Sequence, residues 1–482
     1  LKVRDIIERI GSPVEFRGEA LDEEVLGVAY DSRKVRSGYI FACIPGLSTD
    51  GHLYINEAKN KGAVAALVER FCDCDLTQIK VSSVREVLPF IASWVYGEPT
   101  KGLLCVGVTG TDGKTTTTFL IRSILEKAGY KPMLLGTVEY HFGGKVIPAS
   151  RTTPEGPDIM EFVKEGVKWG NDSLVMEVSS HSLDLHRVDA IDFSVGVLTN
   201  VTPEHLDFHG SFENYKESKA KLFKRLKKAA VLNADDENYG FFLERSNVPV
   251  ISYSLNDSKA SVRVEDVKLD LAGTELKVIT PKGLLEIKSS LIGLFNVYNI
   301  LAALSCGIAL EIDPKSVKEG IEAVRRVPGR MEVFRKPGFP TVVIDYAHTP
   351  NALKNVLSAI KLLNPERIFC IFGLGGNRYV DNRPVMGKVA ASMSYKVFIT
   401  SDNARWESPL DIAYQIAEGC KAVAGRYEIV LNRRKAIEKA IKEASPRDVV
   451  LVAGKGHEDY FEIRGMTRHF SDFEVIKDIL GL

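Results

Sequence analysis

The sequence predicts an α/β protein of three domains, and three observations carry that expectation. Short apolar runs alternate with amphipathic helical stretches over most of the 482 residues, the pattern of parallel sheets with crossover helices. Many of those runs end in glycine or an acidic residue, as strands do where they open onto a ligand crevice. Pro and Gly interrupt the pattern twice, at Glu98-Pro99-Thr100-Lys101 and at Val327-Pro328-Gly329-Arg330. Those breaks divide the chain into residues 1–98, a small mixed α/β domain; 99–328, a parallel-sheet domain around a phosphate loop; and 329–482, a Rossmann-like α/β domain.

In the first segment, Val25–Tyr30 and Tyr39–Ile44 read as strands, and a helix around Asn56–Lys61 leads into the apolar run Val64–Val68. In the second, Leu103–Val108 precedes a glycine-containing turn and a helix with Leu120, Ile121, Ile124, Leu125 and Ala128 on one stripe. Strands follow at Leu174–Val178, Phe193–Leu198, Ala229–Leu232 and Val248–Tyr253. In the third, strands at Thr341–Ile344, Ile368–Phe372, Val397–Thr400 and Val449–Ala453 lead into Asp345, Gly373–Gly376, Ser401-Asp402 and Gly454–Gly456. That domain is therefore expected to carry a site of its own.

Composition narrows the function classes. Apolar content of 45% and charged content of 26% suit a soluble enzyme. A formal net charge of +0 leaves no bulk field to draw in nucleic acid or anionic lipid. No apolar run approaches the length of a membrane span, and Leu1–Glu8 does not read as a signal peptide. Seven scattered cysteines fit reduced thiols, so a cytoplasmic location is expected. Cys72 and Cys74 form a close pair without a second pair at zinc-ligand spacing.

The phosphate loop is the strongest motif. Gly110-Thr-Asp-Gly113-Lys114-Thr115-Thr116 joins a strand to a helix, so backbone N–H groups and the helix N-terminus face an anion and Lys114 adds a full charge. Thr115 supplies the hydroxyl that such loops offer to Mg²⁺. The general pattern places a glycine where this chain has Val108; the shorter form belongs to a narrower class of ATP users. Glu177, at the end of an expected strand, is placed as a carboxylate ligand for Mg²⁺. His205 and His209 stand four apart, but Pro203 and Gly210 argue against a helix between them.

Taken together, GTDGKTT (110–116), MEVSSHSL (176–183), NVTPEHLDFHG (200–210), YKESKAKLF (215–223), GLFNVYNILAA (293–303), VPGRME (327–332), DYAHTP (345–350) and AGKGHE (453–458) closely resemble the Mur ligases of peptidoglycan synthesis. Asp31–Ala58 resembles that family's UDP-binding N-terminal domain. The resemblance implies an ATP- and Mg²⁺-dependent enzyme, a monomer, that adds a diamino acid to UDP-MurNAc-L-Ala-D-Glu. ATP would phosphorylate the glutamate carboxylate, and the amine would attack the acyl phosphate through a tetrahedral intermediate. The resemblance makes Lys114, Glu177, His205 and Lys219 catalytic, with Gly110, Thr111, Gly113, Lys114, Thr115 and Thr116 on the ATP phosphates. It places Thr115, Glu177, His205 and a carbamylated Lys219 around Mg²⁺, Asn296 and Asn299 at the adenine, Arg330 at the phosphates and Asp345 at the ribose. Ser32 would meet the uracil end of the substrate, and Thr152, Thr153, Ser179 and Arg187 the muramoyl-dipeptide.

The incoming diamino acid would be read by Arg383, Asp402, Asn403, Arg405, Gly454 and Glu458. Members that add meso-diaminopimelate carry D-N-P-R, whose arginine binds the second carboxylate; lysine-adding members lack that arginine. This chain has Asp402-Asn403-Ala404-Arg405. Without the proline the loop is freer, Arg405 could turn away, and the expectation leans narrowly toward lysine as a shared substrate. Because two domains must bring their reactants together, a hinge is expected near Pro328–Arg330. Three other readings compete. A folylpolyglutamate synthase needs no UDP-binding segment such as Asp31–Gly51. A nucleotide switch needs an N-K-x-D guanine reader, and Asn60-Lys61 is followed by Gly62-Ala63. A non-catalytic nucleotide-binding scaffold would leave Glu177, His205 and Lys219 without a reason to accompany the loop.

Overall fold

The computed structural model describes residues 1–11, 14–46, 49–377 and 380–482. Leu47 and Ser48, inside the Asp31–Ala58 segment, lie outside the described residues. The architecture is α/β, and the chain divides into two compact units. One comprises Leu1–Val264, Ile279–Leu284 and Asn299–Ile321; the other comprises Glu265–Val278, Leu285–Tyr298 and Glu322–Leu482.

The first unit opens on a five-stranded sheet in the order Glu15–Arg17, Thr77–Lys80, Ala65–Val68, Tyr39–Ala42, Gly27–Ala29. Only the Glu15–Arg17 edge pair is antiparallel. Helix Val84–Val95 starts where the Ser83 hydroxyl accepts from the Glu86 N–H, a side-chain cap on an otherwise unpaired donor. It buries Val84, Leu88, Ile91 and Ala92. Tyr30 ties this region to helix Gly156–Lys168 by donating to Asp158 at 2.6 Å.

Six parallel strands form the middle of the unit, in the order Val250–Ser254, Ala229–Asn233, Val195–Leu198, Leu104–Thr109, Ser173–Glu177, Pro132–Leu135. Glu139–Phe142 and Lys145–Pro148 extend it as antiparallel edge strands. Every residue of Ser173–Glu177 is buried, as befits a strand covered on both faces. Val108 sits in this ladder opposite Glu177 on one side and Val197 on the other. The position where the general loop pattern wants glycine is thus interior strand, and the turn starts two residues later. Helix Lys114–Lys127 buries the expected Leu120, Ile121, Ile124 and Leu125; Ala128, expected on that stripe, instead caps the C-terminus. A single helical turn, Leu206–His209, does form between Pro203 and Gly210, shorter than the segment those two residues were expected to keep irregular.

The second unit holds a six-stranded sheet in the order Glu332–Phe334, Thr341–Asp345, Val449–Ala453, Ile368–Phe372, Lys396–Ile399, Tyr427–Ile429, antiparallel only at the first pair. Successive residues alternate between two cores. Ile368, Cys370 and Phe372 enter one with Val449, Leu451 and Ala453, while Phe369 and Ile371 enter the other with Val450 and Val452. That period of two is the pleat of a sheet buried on both faces. The hairpin Tyr460–Ile463 with Met466–His469 stands apart as a two-stranded sheet.

Candidate active site

The phosphate loop is laced to the segment after strand Val195–Leu198. Thr111 N donates to the Asn200 carbonyl at 2.8 Å, Asp112 N to the Asn200 side chain at 2.9 Å, and Thr199 Oγ1 to the Asp112 carbonyl at 2.6 Å. Gly110 has φ +147, and a Cβ there would sit 1.9 Å from Thr199 Oγ1. Gly113 has φ +84, and a Cβ there would meet the Asn299 amide oxygen at 2.2 Å. Both positions therefore demand glycine on conformation and on space. Asn299 is thereby placed against the loop. Thr115 and Thr116 are buried in the first turn of the helix that follows. The Lys114 ammonium donates to the carbonyls of Gly110 at 2.9 Å and Thr111 at 2.7 Å.

Glu177 ends its strand 1% exposed. Its carboxylate accepts from Thr137 N at 2.8 Å and Thr137 Oγ1 at 2.9 Å, and it forms no ion pair among the described residues. A buried anion without a counter-charge is costly, so this is a place that fits a cation. Thr137 was not foreseen, although it lies two residues past the end of strand Pro132–Leu135, which is itself a signal. Lys219 projects from helix Phe212–Phe223 and is 1% exposed. It donates to the same Gly110 carbonyl at 2.8 Å and lies 4.4 Å from the centre of the Tyr215 ring. Burial, and then the Lys114 charge, push its amine well below the usual lysine range. His205, at φ +55, precedes the single turn. Burial lowers its pKa, with Lys114 and Lys219 adding to the effect against Glu204. His181 packs 4.7 Å from the His205 ring centre and is pushed down to about 4, first by burial and then by His205. Among the described residues no three His, Cys, Asp or Glu side chains group at metal-binding spacing. A cation beside Glu177 would therefore have to draw further oxygen ligands, such as Thr115, phosphate, water or a carbamate.

Four expected substrate contacts surround the same strand end. Thr153 Oγ1 donates to the Glu177 carbonyl at 2.8 Å and accepts from Ser179 N at 3.1 Å. The Thr152 and Thr137 hydroxyls lie 3.1 Å apart. Arg187 donates to the Thr153 carbonyl at 3.1 Å and pairs with Glu155 at 2.9 Å. Burial is the first cause of its lowered pKa. Ser32 stays with the N-terminal sheet, where its hydroxyl donates to Glu57 at 2.9 Å.

The remaining expected residues lie in the second unit. Asn296 donates to the Ile292 carbonyl at 2.8 Å. Asp345 accepts from Met331 N at 2.9 Å and Ala347 N at 2.8 Å. Arg330 lies 4.9 Å from the Tyr346 ring centre. Asp402, Asn403, Gly454 and Glu458 gather beyond the ends of strands Lys396–Ile399 and Val449–Ala453, which flank Ile368–Phe372. Asn403 donates to Glu458 at 2.9 Å, and Asp402 accepts from Asn403 N at 2.6 Å. A fully buried Lys455, not foreseen, reaches Asn403 at 3.5 Å, Glu458 at 3.4 Å and Asp402 at 3.7 Å. Burial raises the Glu458 pKa, and Lys455 opposes it. Arg383 is 1% exposed and forks onto Glu407 at 2.8 and 2.9 Å, with Gln415 at 2.7 Å. Its charge is therefore already matched. Arg405 is held rather than loose: Nε donates to Glu462 at 3.1 Å and Nη1 to the Gly376 carbonyl at 2.9 Å. The freedom expected from Ala404 is not found, because the hairpin strand Tyr460–Ile463 grips the loop from its other side.

A glycine-bearing loop on a parallel sheet, beside a buried carboxylate and a buried lysine, defines a phosphate-loop protein equipped to bind a nucleotide. Three family models match the chain in order: "Mur ligase family, catalytic domain" over residues 24–94, "Mur ligase middle domain" over 108–307, and "Mur ligase, glutamate ligase domain" over 329–456. The chain is 42% identical over 496 aligned positions to the UDP-N-acetylmuramoyl-L-alanyl-D-glutamate--2,6-diaminopimelate ligase of Geobacter metallireducens, covering 98% of this chain and 96% of that one. It is also 42% identical to the ligase of that name from Caldanaerobacter subterraneus subsp. tengcongensis, covering 95% of each. A solved structure of a ligase of that name superposes with a TM-score of 0.72 at 29% identity, covering 100% of this chain and 99% of its own. The chain belongs to the Mur ligase family.

Proposed function

We propose that this chain is an ATP-dependent ligase that joins a diamino acid to the D-glutamate carboxylate of UDP-MurNAc-L-Ala-D-Glu, releasing ADP and phosphate. The carrying observation is the meeting at one set of strand ends of the loop amides, Lys114, buried Glu177 and the Thr153–Ser179–Arg187 cluster. A carboxylate is a poor electrophile, and phosphorylation gives it a leaving group. Two anions must approach for that to happen, so fixed positive charge at Lys114 and amides aimed at phosphate lower the barrier. Thr115, Glu177 and His205, with Lys219 as its carbamate, would hold Mg²⁺, which neutralises phosphate charge. Burial disfavours the charged form of the Lys219 amine, and the neutral amine is the form that adds CO₂ and releases a proton. Arg187 presents a guanidinium to a carboxylate of the muramoyl-dipeptide, and Ser32 meets its uracil end.

In the second unit Asn403, Arg405 and Glu458 receive the diamino acid. Glu458 meets an ammonium, and Arg405 meets the second carboxylate of meso-diaminopimelate. The relatives' names and the held Arg405 both support diaminopimelate over lysine as the preferred substrate. Folylpolyglutamate synthesis is disfavoured by the Asp31–Ala58 segment, which has no task in it. Incubation with UDP-MurNAc-L-Ala-D-Glu, Mg-ATP and either amino acid, read by ADP release and product mass, tests the reading. ADP release only with a folate, or with no acceptor at all, overturns it. An intact-mass spectrum of active enzyme with unmodified Lys219 overturns the carbamate.

A further inference from the structure

The loop that carries Arg405 is fastened by a strand not foreseen as part of any site. Arg405 has φ +52, a left-handed conformation that costs a non-glycine residue energy unless its surroundings enforce it. The enforcement comes from hairpin strand Tyr460–Ile463. Arg405 N donates to the Glu462 carbonyl at 3.0 Å, Arg464 N donates to the Arg405 carbonyl at 2.7 Å, and Glu462 N donates to the Asn403 side chain at 2.9 Å. The Glu462 carboxylate then takes the Nε edge of the guanidinium at 3.1 Å, while the Gly376 carbonyl takes Nη1 at 2.9 Å. Nη2 has no partner among the described residues, and the Arg405 side chain keeps 23% exposure. The guanidinium is thus held at Nε and at Nη1, with Nη2 left over.

We propose that Glu462 is a positioning residue for Arg405. It holds the guanidinium by Nε so that the Nη2 tip faces the second carboxylate of a diaminopimelate-class substrate. The charged pair supplies the stiffness that proline at position 404 would supply through its fixed φ. This rests on the proposed reading of Arg405 as the contact for that carboxylate. Glu462 is itself 35% exposed, so its removal is not expected to unfold the chain.

The test is steady-state kinetics of the full chain with UDP-MurNAc-L-Ala-D-Glu, Mg-ATP and either meso-diaminopimelate or L-lysine, which lacks the second carboxylate. Glu462→Ala is expected to raise KM for diaminopimelate about tenfold, about 1.4 kcal/mol, with kcat changed less than about twofold. KM for lysine, or its inhibition constant against diaminopimelate if it is not turned over, should move less than about twofold. Glu462→Gln keeps an acceptor for Nε and should fall between. Adding Ala404→Pro to Glu462→Ala should bring the diaminopimelate KM back toward the starting value, which a merely structural loss would not do. An equal rise for both amino acids, no rise, or a fall for diaminopimelate overturns the inference while leaving the ligase reading intact. Product with lysine only, or no product from the unaltered chain, overturns the reading and this inference with it.

Discussion

Lys219 has its amine inside the protein and, among the described residues, no carboxylate paired with it. Its pKa lies well below the usual lysine value, first because of burial and then because of Lys114. Between that lowered value and the ordinary one the unfolded chain binds more protons than the folded chain, so this group makes stability rise with pH. Replacing Lys219 with Met should therefore stabilise the apo protein near neutral pH and flatten the climb toward alkaline pH. Urea titrations of both proteins across that range check the sign, and an unchanged slope would count against a depressed amine. The same substitution should abolish ligation, read as ADP release. At Gly113, φ +84 and the Asn299 contact argue against any side chain. Gly113→Ala should cost about 1–3 kcal/mol of stability and weaken ATP binding, measured by calorimetric titration. The loop itself was legible from sequence because its chemistry is contiguous. Thr137, Lys455 and Glu462 were not, because each reaches partners distant in sequence: Glu177, Asn403 and Arg405.

Elements reveal where local signals succeed. Strands of the parallel sheets were readable as apolar runs because both faces are covered. The edge strand Glu15–Arg17, exposed at every residue, and the hairpin at 460–469 carry no such run and are defined by pairing alone. Helix Phe212–Phe223, which carries Lys219, begins where the Ser211 hydroxyl accepts from Asn214 N at 3.1 Å. Ser211→Ala should cost about 1 kcal/mol in chemical denaturation while kcat changes little, since the cap lies two turns from the lysine. Under the second unit's site, Arg433 and Asp472 form an ion pair buried completely on both sides. Arg433 also donates to the Ala453 carbonyl at 2.8 Å, so the pair supports the strand that runs into Gly454. Asp472→Asn strands a buried cation and should cost about 3–5 kcal/mol, measured by the same denaturation.

At the scale of the molecule, two compact units each own a hydrophobic core. Calorimetry should accordingly show more than one transition, with a calorimetric enthalpy above the van't Hoff value. Mg-ATP at about a hundred times its Kd should stabilise a unit that binds it by about 2.7 kcal/mol. A single two-state peak would show that the units unfold as one. The composition and the order of motifs are enough to indicate an α/β ligase. They said nothing of how residues 265–298 divide between the units, because that depends on packing and not on pattern.

The ladder around Val108 has a further consequence. Its hydrogen bonds set residue 108 opposite Glu177 and Val197 together, so the start of the nucleotide loop and the carboxylate beside it are two marks on one ruler. Adding a single residue between Leu104 and Thr109 would turn every following side chain to the other face and slide one mark against the other. Length can vary in the connections, but not along the graduated edge, and a chain that kept every motif would lose the site by miscounting there.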